Sequence, residues 1–224
     1  MPVTASQTPY YPPPPAPLDV VYLDDALLAV NKPGGLLSVP GRGESKQDSL
    51  ALRAQQEFPE SLIVHRLDME TSGLLLLARN PDMQRALSRA FARREVEKTY
   101  VAEVTGRLDV PNGSVDLPLI CDWPNRPRQI VDFGRGKPSV TYYRVIDYDP
   151  QRDSSRVELR PATGRTHQLR VHLQSLGHPI LGDALYADEI TRSKADRLRL
   201  HATALVFNHP LTGDRLALES KPPF

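Results

Sequence analysis

The chain has 224 residues, enough for one sizeable core or for one catalytic domain with a tail. Its 40% hydrophobic and 25% charged residues are ordinary for a globular protein, no apolar run reaches bilayer length, and the N-terminus lacks the basic and apolar regions of a secretory signal. A formal net charge of +1 carries no global signal for a polyanion, and the single cysteine, Cys121, excludes an internal disulfide and a cysteine-based zinc site. These features point to a cytoplasmic protein.

Residues 1–17 are rich in proline and polar side chains, and Pro12 to Pro15 form a run that cannot join a helix or sheet interior. A disordered or extended tail is expected there, followed by a single catalytic domain over 18–224. "DVVYLDDALLAVNKP" reads as a hairpin turning at Asp24-Asp25. "DSLALRAQQEF" reads as a short helix capped by Asp48 or Ser49. Ser72-Gly73 reads as a turn leading into "LLLLA", a run suited to a strand buried on both faces. Asn80 and Pro81 then open a helix whose apolar stripe is Met83, Leu87, Ala90 and Phe91.

"EKTYVAEVTG", "GSVDLPLICD", "PSVTYYRVIDYD" and "SSRVELRPATG" read as strands, with "WPNRPRQIVDFGRGK" as a loop between the second and third. "RTHQLRVHLQSLG" reads as a helix with Leu169, Leu173 and Leu176 on one face and Gly177 as its cap. "LHATALVFNHP" and "DRLALESKP" close the chain as an antiparallel pair. Many strands and few helices imply a mixed α/β fold on a largely antiparallel sheet.

No phosphate cradle of the GxGxxG or GxxxxGK[ST] type is present, no compact histidine pair suits a metal, and no GxSxG elbow supports a serine nucleophile. No cofactor and no metal are therefore expected. Asp68 stands out, in "VHRLDMETSGLLLLAR", as a carboxylate at the mouth of an apolar strand. Taken alone it reads as a turn cap through the Thr71 or Ser72 amides. The less common reading is a nucleophile or base, which needs a cation from elsewhere in the chain. "TGRTHQLRVH" supplies two, Arg165 and Arg170. Further arginines cluster at 85–94 and 126–135, which would suit a polyanionic substrate.

"HRLDMETSGLLLLA" resembles the catalytic motif of the RluA-type pseudouridine synthases, HRLD-x-x-TSG followed by an apolar strand. "VNKPGGLLSVPG", "EKTYVAEVTG", "PATGRTHQLRVHLQSLGHPILGDALYA" and "RLRLHATALVFNHPLTG" resemble the family's other motifs, in order, over nearly all of Leu18 to Phe224. The direct start at Leu18 without an S4-like module, and "VDLPLICDWPNRPRQ", are similar to members that modify both 23S rRNA and tRNA. The Pro-rich tail and the linker "GRGKPSV" depart from that pattern.

The resemblance implies the pseudouridine synthase fold, with a central RNA-binding cleft, and isomerisation of uridine in RNA stem-loops. It implies Asp68 as the essential carboxylate, Arg170 as its partner, Tyr100 as the ring stacked on uracil, and Arg66 as the residue filling the space left by the flipped base. Leu169 is implied as an apolar neighbour of the site, while Arg165 reads either as a phosphate contact or as a surface residue. No cofactor, metal or membrane is implied, and a monomer is expected. The alternatives are the same reaction at one different RNA site, a non-catalytic RNA-binding or ribosome-assembly factor, or a nucleoside hydrolase. The last needs a second carboxylate to activate water, for which Glu70 and Asp183 are candidates.

Overall fold

The structure is a computed structural model describing residues 9–224. The first eight residues of the expected tail lie outside the described residues. Residues 9–17 form no helix or strand and run along the body of the protein. The Tyr10 hydroxyl donates to the Asp48 carbonyl and accepts the Leu37 N–H, and Arg53 donates to the carbonyls of Pro13 and Pro14.

A hairpin of β1 (Val20–Leu23) and β2 (Leu27–Lys32) begins the sheet. Asp24 fastens its turn by accepting the Ala26 and Leu27 N–H groups. Helix α1 (Leu50–Glu57) starts at Ser49, whose hydroxyl accepts the Leu52 N–H. A two-residue strand, β3 (Leu62–Ile63), precedes β4 (Ser72–Ala78). Every residue of β4 is buried, as a strand covered on both faces requires. Alternate leucines feed two cores: Leu74 and Leu76 pack with Leu87 and Phe207, while Leu75 and Leu77 pack with Leu28, Leu50 and Leu67.

Ser72 and Gly73 belong to β4 itself, not to a turn before it. Gly73 has φ +110°, and a Cβ there would stand 2.3 Å from the Ala202 carbonyl oxygen, so glycine is what lets the neighbouring strand approach. Helix α2 (Pro81–Arg93) has Asn80 as its cap and buries Leu87 on the expected stripe. Strand β5 (Glu97–Thr105) follows. The expected strand at "GSVDLPLICD" is divided into β6 (Asn112–Asp116) and β7 (Leu119–Cys121), because Pro118 has no N–H to continue a ladder. The expected loop after it contains β8 (Gln129–Val131), which pairs with β7 in a small separate sheet.

β9 (Val140–Asp149), β10 (Ser154–Pro161), α3 (Gln168–Ser175), the short α4 (Glu189–Ser193), β11 (Leu200–Asn208) and β12 (Arg215–Glu219) complete the chain. Leu169 and Leu173 of α3 enter the core with Tyr100, whereas Leu176 is 37% exposed at the helix end and lies off the stripe. The main sheet has ten strands in the order β1-β2-β4-β11-β5-β10-β9-β6, with β12 on β11 and β3 on β4. Its pairs are antiparallel except β4 with β11. The mixed, mostly antiparallel architecture expected from the sequence is the one observed. Among the described residues no helix is long and apolar enough to cross a membrane.

Candidate active site

Asp68 lies in the loop between β3 and β4. Its main-chain carbonyl accepts the Thr71 N–H, but its carboxylate makes no hydrogen bond within the turn. The side chain's nearest charged neighbours are Arg170 Nη1 at 3.7 Å and His167 Nε2 at 4.0 Å. The turn-cap reading is thereby removed. An Asp that capped its own loop would have spent its oxygens on amides.

What is held is the backbone on either side. Lys32, 0% exposed, donates from Nζ to the carbonyls of Pro33, Leu36 and Met69. Burial pulls its ammonium down to about 7, against the opposing attraction of Glu70 and Asp68. The Ser38 hydroxyl donates to the Leu67 carbonyl and accepts the Leu67 N–H. His65 Nε2 accepts the Leu76 N–H, tying the start of the loop to β4. The residues before and after Asp68 are therefore anchored while the carboxylate between them stays free.

Across the cavity, Arg170 sits on α3 at 3% exposure. Its expected pairing with Asp68 is present as an ion pair at 3.7 Å, but it is the weaker of two. Nε and Nη2 donate to the two oxygens of Asp183, both at 2.7 Å, and only Nη1 turns toward Asp68. The physical reason is burial. A guanidinium this far from water needs a full-time counter-charge, and its fork geometry allows a bidentate bond on one side while a third nitrogen faces elsewhere. Asp183 is saturated, since its Oδ1 also accepts the Leu185 and Tyr186 N–H groups.

His167 opens α3 in the left-handed region at φ 53°. The hydrogen-bond chain around it is fully used by one tautomer. The Gln129 N–H donates to the Tyr186 oxygen, so the Tyr186 O–H is free to donate to His167 Nδ1 at 2.7 Å. Nε2 then carries the proton and faces Asp68. Burial, followed in size by the opposing pull of Asp68, holds the imidazole below its ordinary range, consistent with a neutral ring. Burial raises the Tyr186 phenol to about 12, so it stays protonated.

A cavity of about 110 Å³ collects the expected side chains: Arg66, Asp68, Tyr100, Arg165, Leu169 and Arg170 all line it. Tyr100 comes from β5, and its phenol is raised first by burial and second by Asp68. Leu169 is 7% exposed and packs with Tyr100 in the core beneath. Arg66 is exposed at the rim, and among the described residues it forms no ion pair, so the bland pairing with Glu70 does not occur. Arg165 is also exposed and donates from Nε to the Pro138 carbonyl.

His167, Tyr186 and Lys32 were not singled out from the sequence. Their signals were present: a lysine inside an apolar strand in "LLAVNKP", and polar side chains within "RTHQ" and "GDALYA". The two carboxylates a hydrolase could use are not available to water at this site. Asp183 is consumed by Arg170, and Glu70 lines a different cavity with Gly182 and Arg197. Among the described residues no cluster of three His, Cys, Asp or Glu side chains could hold a metal ion.

Residues 26–175 match the family described as RNA pseudouridylate synthase. The chain belongs to this family. The synthase is 49% identical over 215 residues to a protein of Escherichia coli K12 named dual-specificity RNA pseudouridine synthase RluA, covering 96% of this chain and 98% of that one. A protein of the same name from Vibrio parahaemolyticus is 52% identical over 204 residues, covering 90% and 82%. Among solved structures, human RNA pseudouridylate synthase domain containing 1 aligns with a TM-score of 0.79 at 30% identity, covering 95% of this chain and 87% of that one. Human RNA pseudouridylate synthase domain containing 4 aligns at 0.71 and 28%, covering 91% and 88%. The synthase is an isomerase that forms pseudouridine in RNA, and its fold is that of the solved family members.

Proposed function

We propose that this synthase isomerises uridines in stem-loops of both 23S rRNA and tRNA, the anticodon loop included, with Asp68 as the essential carboxylate. The dual target is supported by the names of relatives near 50% identity over almost the whole chain. The assignment of Asp68 rests on one observation: its loop is anchored at Leu67 and Met69 while its carboxylate faces the cavity without a hydrogen bond in its own turn.

The reaction breaks N1–C1′, turns the uracil, and joins C5 to C1′. The C5 proton leaves and N1 gains one, so atoms balance without a cofactor. A carboxylate suits cleavage at a sugar carbon, and the uracil is both leaving group and incoming nucleophile. Extruding the target base costs about a few kcal/mol. Arg66, unpaired at the rim, fills the vacated stack and offsets part of that cost. Tyr100 provides the face on which uracil lies, and Leu169 supports that ring from the core. Arg170, locked on Asp183, acts as a fixed positive wall for Asp68, so the carboxylate does not have to reorganise as charge moves. Arg165 binds backbone phosphate outside the cavity. The catalytic unit is residues 18–224, acting as a cytoplasmic monomer.

The test is to map pseudouridines in rRNA and tRNA from cells lacking the protein. Loss at one 23S loop and one tRNA anticodon-loop site, restored by the wild-type gene but not by Asp68→Asn, supports the reading. Loss in only one RNA class removes the dual target, and restoration by Asp68→Asn removes the carboxylate.

A further inference from the structure

The roles above leave a larger cavity unused. Beside the uridine pocket lies a second space of about 500 Å³. Its wall includes His65 and Phe91, whose rings stack at 4.4 Å with an interplanar angle of 21°. Arg94, which ends α2 in the left-handed region at φ 63°, also lines it. The two cavities meet along Arg66, Lys98, Tyr100, Thr163, Gly164 and Arg165.

Lys98 is the anomalous group at that junction. It stands two residues before Tyr100 on β5, which puts both side chains on one face of the strand. It is half-buried, and among the described residues no carboxylate pairs with it and no hydrogen bond holds its ammonium. Burial lowers its pKa, and the Arg94 guanidinium, another cation, lowers it further. Lys98, Arg94, Arg66 and Arg165 face this space and no carboxylate lines it, which is destabilising until an anion arrives. The anion belongs between the cavities, since Lys98 lines both. A group that carries its negative charge between two ring-bearing units is the phosphodiester of a nucleic acid strand.

We propose that the second cavity receives the nucleoside adjacent to the target uridine, and that Lys98 binds the phosphodiester joining the two. This rests on the uridine occupying the Asp68 cavity. The enzyme then withdraws a dinucleotide step, not a single base. The stacked His65–Phe91 pair gives the neighbouring base an aromatic surface, which tolerates any base but requires one. A dinucleotide is easily extruded from a loop and not from a duplex, so the second cavity contributes to selecting loops.

The test is a cycle between protein and RNA. Full-length wild-type and Lys98→Met proteins are compared in single-turnover pseudouridine formation. The RNA is a stem-loop the wild type modifies, with a neutral methylphosphonate placed on the 5′ or the 3′ side of the target. On native RNA, Lys98→Met should lose about tenfold in kcat/KM, in line with loss of one charge-assisted bond. The wild type should lose a similar factor at one of the two linkages, and Lys98→Met should lose nothing more there. A second arm replaces the nucleotide across that linkage with an abasic one. That change and Phe91→Leu should each weaken turnover, and together should cost no more than either alone. Losses from Lys98→Met and both methylphosphonates that simply multiply overturn the proposal, as does a wild type indifferent to both linkages. A wild type that makes no product from any native RNA would overturn the parent reading instead. Because the methylphosphonate arm uses unaltered protein, a folding defect in a variant cannot imitate the coupling.

Discussion

Arg170 stands between two aspartates that are held in opposite ways. Asp183 is buried, with its side chain bonded to Arg170 and to the Leu185 and Tyr186 amides. Asp68 keeps its side chain free, and the rest of the loop is tied down around it by Lys32, Ser38 and His65. The difference is what the role proposed for Asp68 requires of a structural carboxylate and a reactive one. In the first the oxygens are satisfied; in the second the neighbouring backbone is satisfied and the oxygens wait for substrate.

The largest effect should come from Asp68→Asn. Pseudouridine formation should fall by about a thousandfold or more, as for loss of a group that makes or breaks bonds, while stability shifts by less than about 0.5 kcal/mol. A denaturant titration beside a turnover assay checks both, and a large stability loss would show that Asp68 is structural after all. Asp183→Asn should do the reverse. Stranding the buried Arg170 charge should cost about 3–5 kcal/mol in unfolding free energy, with activity lost as the folded population falls. A variant with full stability and no activity would place Asp183 beside Asp68 and not opposite it.

A smaller effect is expected from Tyr186→Phe, which removes the hydroxyl between the Gln129 N–H and His167 Nδ1. It should cost about 1 kcal/mol and free the imidazole to exchange tautomers. The expected readout is a drop in kcat with KM nearly unchanged, together with a second imidazole tautomer in nitrogen NMR spectra. A single unchanged tautomer would mean that Asp68 alone orients His167.

An effect confined to stability, with turnover at neutral pH untouched, lies farther from the cavity. His201 is 1% exposed, receives the Ser72 O–H at Nδ1, and faces Ser220 through Nε2. Arg197 donates to the same Ser72 oxygen, which directs the serine proton to the imidazole. Burial, then Arg197, holds His201 down to about 4. Between that value and the ordinary 6.5 the unfolded chain binds the extra proton, so this contribution to stability is complete above pH 6.5 and shrinks as pH falls toward 4. His201→Gln should flatten part of that slope in urea midpoints measured from pH 7 to 4, and an unaltered slope would assign the effect to other histidines.

The sequence was most legible where one residue type answers one local requirement. Asn80 and Pro81 opened α2 as capping chemistry demands, and the leucine run of β4 announced a strand buried on both faces. The site was legible through a motif, because "HRLD" and its companions are contiguous along the chain. What was hidden depends on convergence. The Arg170–Asp183 bond and the His167–Tyr186 contact join residues 13 and 19 positions apart, and no periodicity encodes which of two aspartates an arginine will choose. Gly73 was misread for a related reason: its glycine serves the close approach of Ala202, far away in sequence.

That approach has a consequence for how the protein is made. β11 lies between β4, which leads away from Asp68, and β5, which carries Tyr100. The two strands that flank the proposed site do not touch each other in the sheet; they meet across residues 200–208. A ribosome extruding this chain releases Asp68 and Tyr100 early, but the strand that brings them into one sheet appears late. Until then both segments have unpaired edges and exposed apolar faces, the state in which nascent chains need chaperones most. The two segments therefore share one sheet only once residues 200–208 have joined it.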